Sequence, residues 1–323
     1  MKLSKSITKK MIAALATGAL MVSMVGCGST TKESNLDKLV ITHVTSPLNV
    51  PSIVQKDKNM FENEFSENGK KIAVEYAEIT SGADQTQALA SGDVDVLYAV
   101  GGTSVVLAAA NGADIKVLNM YSRSPEAFCM YSQDANIKSA EDLRGKTIVG
   151  PVGTNLHQLL IAYLEKAGMS IDDVNYVNMS IPDAKAALDG KSADVALLAG
   201  PTAYKAKQQG YNLVTNGKGL TDAVIAVAVR QDFYDAHKEE IDLFMKAEEN
   251  IVKYINENYD ETMDIVAKEL DLDRSAVEEM YKQYDFSTKI TDEDRKAFQN
   301  VADFMFKTKM IDKEFNTDNL FIK

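Results

Sequence analysis

The chain has 323 residues, 45% of them hydrophobic and 25% charged, with a formal charge of −12. This composition excludes wholesale disorder and a many-span membrane protein, and the length points to about two domains. A chain this acidic lacks the cationic surplus that phosphate backbones reward, so no nucleic-acid partner is expected. Cys27 and Cys129 are the two cysteines, and His43, His157 and His237 lie far apart. Neither a disulfide framework nor metal-ligand spacing follows from them, and no cofactor is expected.

Residues 1–26 carry Lys2, Lys5, Lys9 and Lys10, no acid, and the uncharged run MIAALATGALMVSMVG at 11–26. Such a run spans about 24 Å as a helix, short of a bilayer core of about 30 Å. A basic start, a short apolar run and small residues at its end predict a secretory signal. The run ends in Met24-Val25-Gly26-Cys27, which resembles a bacterial lipobox with Met24 in place of the usual Leu. That resemblance implies that Cys27 is lipidated and becomes the mature N-terminus. The polar stretch after it, to residue 37, reads as a tether that holds a folded body beside a membrane.

From Leu39 onward strand and helix patterns alternate. Strands are predicted at 39–44, 71–79, 94–100, 115–121, 146–150, 174–179, 193–199 and 223–229, with helices between them at 84–91, 103–111 and 155–168. This order predicts an α/β fold with mostly parallel sheets. An internal repeat organises it: ALASGDVDV at 88–96 matches ALDGKSADV at 187–195, and Gly101 and Gly200 each follow six residues after the aspartate. The repeat predicts two similar lobes. Beyond Asp232 the chain turns helical and charged, over 232–270, 273–284 and 292–310. Ile241, Phe244, Met245, Ile251 and Ile255 recur at helical spacing and mark one buried face, while His237 reads as solvated surface.

The segments SPLNVPSIVQKDKNMFEN (46–63), EITSGADQTQALASGDVDVLYAVGGTSVVLAAANGADIKVL (78–118) and IKSAEDLRGKTIVGPVGTNLHQLLIAYLEKAGMS (137–170) resemble the solute-binding proteins of ABC importers. The resemblance is to the sulfonate, nitrate, taurine and thiamine-precursor group, from Leu39 to about Asn258. It implies a two-lobed periplasmic-binding-protein-like fold with two crossover strands and a helical C-terminal segment. Lobe one would be 38–121 plus 231–323, and lobe two 125–223. It also implies an extracytoplasmic, lipid-anchored monomer that captures a small solute and hands it to an ABC permease with its ATPase. Enzymes of thiamine-pyrimidine or menaquinone synthesis on the same fold, or a ligand-sensing lipoprotein, are the alternatives. Many sulfonate binders carry an aromatic residue and an Asp before the proline matching Pro201. Here Leu198-Ala199-Gly200 precede it, so alkanesulfonate is not carried over.

Ligands of α/β sheets gather beyond the carboxyl ends of strands, where first-turn N–H groups have no helical partner. Five strand-to-helix loops fit: Ser46–Asn49, Thr80–Gly82, Gly101–Thr103, Gly153–Asn155 and Gly200–Thr202. As helix caps they would be ordinary; together they suit an oxyanion. The candidate ligand residues are Ser46, Pro47, Asn49, Ser81, Gly82, Gly102, Thr103, Gly153, Thr154, Asn155 and Pro201. Tyr98, Tyr121 and Tyr204, at or just past strand ends, are candidates to line the cleft. Arg123 is the basic candidate for an anionic group, or a hinge charge. His157 matches the family's histidine, or packs against its helix. Cys129 reads as a buried, unreactive apolar residue, and His43 as structural.

Overall fold

A computed structural model describes residues 36–322; the signal segment, Cys27 and the tether up to residue 35 lie outside them. In chain order the first part is β1 (Lys38–Thr42), α1 (Val50–Lys58), α2 (Met60–Glu67), β2 (Ala73–Ala77), α3 (Gly82–Ser91), β3 (Val96–Gly101), α4 (Gly102–Ala110) and β4 (Lys116–Arg123). The middle is β5 (Phe128–Ser132), β6 (Thr147–Gly150), α5 (Asn155–Lys166), β7 (Asn175–Asn178), α6 (Ile181–Asp189), β8 (Val195–Ala199), α7 (Gly200–Gln208) and β9 (Asn212–Asn216). The last part is β10 (Val224–Val229), α8 (Gln231–Ala236), α9 (Lys238–Glu257), α10 (Tyr259–Leu270), α11 (Arg274–Tyr281) and α12 (Asp292–Lys307).

Two five-stranded sheets result, in the orders β2-β1-β3-β10-β4 and β7-β6-β8-β5-β9. Within each sheet four strands share a direction. The fifth, β10 in the first and β5 in the second, runs against its neighbours. The chain crosses between sheets after β4, over Ser124–Ala127, and again after β9, over 217–223. Each crossing delivers the odd strand of the sheet it enters.

The repeat seen in the sequence has a physical basis. Asp95 accepts a hydrogen bond from the Val40 N–H at 2.8 Å, tying the entrance of β3 to β1. Asp194 accepts from the Thr147 N–H at 2.8 Å and ties β8 to β6 in the same way. A half-buried carboxylate beside a strand N–H gives both groups a partner.

Two strands were not expected from the sequence, β5 and β9. β5 (FCMYS) is buried at every position, and a strand buried on both faces shows no alternation to announce it. β9 (NLVTN) is short and bounded by asparagines. The continuous helix expected over 232–270 is broken at His237 and Asn258. At the first break His237 is half-buried against Phe233, with ring centroids 4.7 Å apart, rather than solvated.

Apolar faces of the C-terminal helices close the first sheet. Phe244 of α9 stacks on Phe61 of α2 at 4.3 Å, and the Tyr98 ring meets Phe61 edge-on at 5.5 Å. Phe298 and Val301 of α12 pack with Val105, Val106 and Val224. No helix among the described residues is long and apolar enough to cross a membrane.

Candidate functional site

Parallel pairing sets the loops after β2, β1 and β3 side by side on one edge of the first sheet. The loops after β7, β6 and β8 line the matching edge of the second. The two edges meet. At Gly200, where α7 begins, φ is +56° and a Cβ would lie 2.4 Å from the Pro47 carbonyl oxygen. Only glycine permits both that left-handed backbone and that approach. A second contact joins the two halves at His157, whose ring stacks on Tyr176 at 5.0 Å and meets Phe304 of α12 at 5.7 Å. Lys307 of α12 pairs with Glu165 of α5 at 2.6 Å.

The helix N-termini at this junction are not equal as donors. α1 and α7 carry Pro51 and Pro201 in their first turns, and proline has no N–H to offer. α3, α4 and α5 begin at Gly82, Gly102 and Asn155 without proline, so their first residues keep N–H donors. Ser81 caps α3, accepting from the Asp84 N–H at 3.4 Å, and its own O–H donates to none of the described residues. Ser46 is exposed and Pro47 half-buried, while Thr103 is buried. Asn155 is 4% exposed, and its Oδ1 has no partner among the described residues.

Several expected ligand groups are already committed. Arg123 donates all five of its N–H bonds within the protein. Nε and Nη2 grip Asp294 at 2.6 Å each, Nη1 reaches the Ser287 carbonyl and hydroxyl, and Nη2 also reaches the Lys289 carbonyl. It clasps the first crossover to the C-terminal segment and has no donor left for a ligand. Burial works against ionisation of Asp294, but hydrogen bonds from Arg123 and Thr291 outweigh it and hold the carboxyl below its usual range. Tyr98 is 1% exposed among Phe61, Tyr121 and Phe244, so it is core and not a cleft wall. Tyr121 is buried as well, and its hydroxyl is bonded to Ser52.

The Thr154 hydroxyl donates to the Pro151 carbonyl at 2.9 Å, and the Asn49 amide donates to the Val44 and Ser46 carbonyls. Both side chains brace their own loops. His157 accepts from the Gly153 N–H at 3.2 Å, and desolvation lowers its pKa, so it holds the loop as a neutral ring. Tyr204 is half-buried and packs against the core of the first half, beside a narrow crevice that Cys129, Gly200 and Glu279 also line. Burial pushes the Cys129 thiol up to about 12, which makes it inert as a nucleophile.

Three hydroxyls that sequence reasoning missed lie where the chain crosses between the sheets. Ser122 (1% exposed), Ser124 (1%) and Thr221 (7%) have side-chain oxygens with no partner among the described residues. Ser122 pairs across β10 residue Ile225 with Gly101, the end of β3 and the start of a candidate loop. Buried hydroxyls are normally satisfied, so three unpartnered ones at one junction stand out. In sequence they look like hinge polarity, and only their burial distinguishes them. No group of three or more metal-ligand side chains occurs among the described residues.

A family described as NMT1/THI5 like matches residues 50–262. Over 315 residues the chain is 28% identical to a protein of Bacillus subtilis (strain 168) named for binding aliphatic sulfonates, covering 94% of each. It is 28% identical over 200 residues to the taurine-binding periplasmic protein of Escherichia coli (strain K12), covering 61% of this chain and 60% of that one. The solved structure of the alkanesulfonate-binding protein of Xanthomonas axonopodis pv. citri, bound to MOPS, superposes with a TM-score of 0.80 at 20% identity. That match covers 90% of this chain and 99% of the other. The fold is therefore the periplasmic-binding-protein fold that the sequence led us to expect.

Proposed function

The chain belongs to the NMT1/THI5-like family, and on that premise we propose that it is the extracytoplasmic solute-binding component of an ABC importer. Its solute is a small organic oxyanion of the sulfonate class. The observation that carries this reading is the meeting of two carboxyl strand edges across two crossovers, with Gly200 against Pro47. Lobe one, 38–121 plus 231–323, and lobe two, 125–223, take the solute between them. Donors from the N-termini of α3, α4 and α5 and from Ser81, Ser122, Ser124 and Thr221 face it, and Ser46, Pro47, Pro201 and Tyr204 shape the walls. A site of neutral N–H and O–H donors, with Arg123 spent elsewhere, fits an anion that never needs to exchange a proton. The solute favours the closed state through contacts that only that state makes. A permease with its ATPase receives it. A signal segment and a lipid on Cys27 hold the monomeric protein at the membrane.

The test is a thermal-shift and calorimetric series on the mature chain with taurine, simple alkanesulfonates and MOPS, together with mass spectrometry of small molecules that co-purify. At a hundredfold excess over Kd a ligand adds about 2.7 kcal/mol, a clear rise in Tm. The reading fails if no sulfonate stabilises the protein, or if a bound molecule is recovered chemically changed. Cys27→Ser should move the protein out of the membrane fraction; unchanged fractionation would remove the anchor.

A further inference from the structure

A glutamate stands in the middle of the apolar stripe of α9. Ile241, Phe244, Glu248, Ile251 and Ile255 follow one another at three- and four-residue steps, and all five are buried. The four apolar ones belong to the core over the first sheet. Glu248 is 2% exposed, and its side chain has one hydrogen bond among the described residues, from Asn119 of β4. Asn119 Nδ2 donates to Glu248 Oε2 at 2.6 Å. Asn119 is 8% exposed, and its Oδ1 is buried with no partner among the described residues.

A carboxylate has acceptors only, so an ionised Glu248 has nothing to offer that oxygen. A protonated carboxyl has one O–H to donate. Carboxyl and carboxamide are both planar forks, and side by side they close a ring of two hydrogen bonds. We propose that Glu248 is a neutral carboxylic acid in the folded protein, and that its Oε1 proton completes such a ring with Asn119, a proton-dependent fastening of α9 to β4.

The surroundings bring no cation to this carboxyl. Burial raises it well above its usual range, the bond from Asn119 opposes that, and the charge of Glu249 adds to it. Tyr98 of β3 and Tyr121 of β4 face it, and burial raises both phenols, so they are neutral. The charged groups that elements packed on α9 carry are paired with other partners. Glu64 of α2 is held by Lys246, Lys58 of α1 by Glu261 of α10, and Asp232 of α8 by Arg230. β4 runs on through Ser122 and Arg123 into the first crossover, so the ring fastens the C-terminal helices to the strand that leads between the sheets. An acid held neutral by folding contributes its full stability below its unfolded value of 4.5, and loses it as pH rises toward the folded value.

Glu248→Gln tests this. Its amide keeps both hydrogen bonds, N–H in place of O–H, and cannot ionise. Carbon NMR of the mature protein, labelled at the glutamate carboxyls, identifies Glu248 by the signal that the variant loses. That signal should hold the position of a protonated acid from about pH 5 to 7, where exposed glutamates have ionised. In urea, the unfolding constant of the native protein should rise relative to that of Glu248→Gln by about tenfold for each pH unit over the same range. The comparison cancels every other titrating group. A Glu248 signal already at the carboxylate position near pH 5, or a native protein and variant whose stabilities run parallel with pH, would each overturn the proposal.

Discussion

A side chain's worth at this junction depends on whether its polar atoms are already spent. Arg123 is the clearest case. Truncating one partner of a buried ion pair leaves the other charged and unpaired, which costs about 3–5 kcal/mol. Arg123→Gln should therefore lower stability in urea by about that amount, because Asp294 has a side chain only 3% exposed, while solute affinity changes little. A large loss of affinity with normal stability would return Arg123 to the ligand site. His43 gives a pH signature. Its pKa falls from 6.5 to about 4 on folding, so the unfolded chain binds the proton more readily. Stability contributed by the neutral ring is full above pH 6.5 and is lost as pH falls toward 4. Urea titrations across that window should show a decline that His43→Gln removes; an identical decline in the variant would place the acid sensitivity elsewhere.

Loops and strands carry the contrast between bracing and binding. Thr154 spends its hydroxyl on Pro151, whereas Thr221 has an unpartnered one. Thr154→Val should cost about 1 kcal/mol of stability and little affinity, since a net hydrogen bond is worth about that much. Thr221→Val should keep or raise the stability of the solute-free protein and weaken solute binding by about ten- to a hundredfold, the loss for a bond to a charged group. The two variants have opposite signatures in paired calorimetry and melting, and matching signatures would refute the assignment of the unpartnered hydroxyls. Much at this scale was legible in sequence. The Asp-Val repeat and the five loops stood out because β-branched runs and glycines fall at fixed offsets. Tyr98 and Arg123 misled because a position in the chain says nothing of which face a strand residue takes, or of partners 171 residues away, as Asp294 is. Ser122, Ser124 and Thr221 stayed hidden because a serine or threonine at a crossover looks the same exposed or buried.

For the molecule as a whole, the approach of Gly200 to Pro47 is the contact through which the proposed closure can be tested. Gly200→Ala places a methyl group 2.4 Å from a carbonyl oxygen and forces alanine to φ +56°. The strain is about 1 kcal/mol or more, and the clash opposes the approach of the two edges. Small-angle scattering with a saturating solute should show the native chain compacting and the variant staying wider; equal compaction would deny Gly200 that role. The crossed delivery of strands has a further consequence, for the order in which the protein can be made. All five strands of the second sheet have emerged once Asn216 has been synthesised, whereas the first sheet lacks β10, its bridge between β3 and β4, until Val229. The half begun later is thus the first that can finish. During synthesis, β4 waits as an unpaired edge beside an incomplete sheet, exposed to misfolding or to a chaperone. A fragment of residues 124–217 should hold a cooperative thermal transition on its own while 36–123 should not; two equally disordered fragments would mean that the halves fold only together.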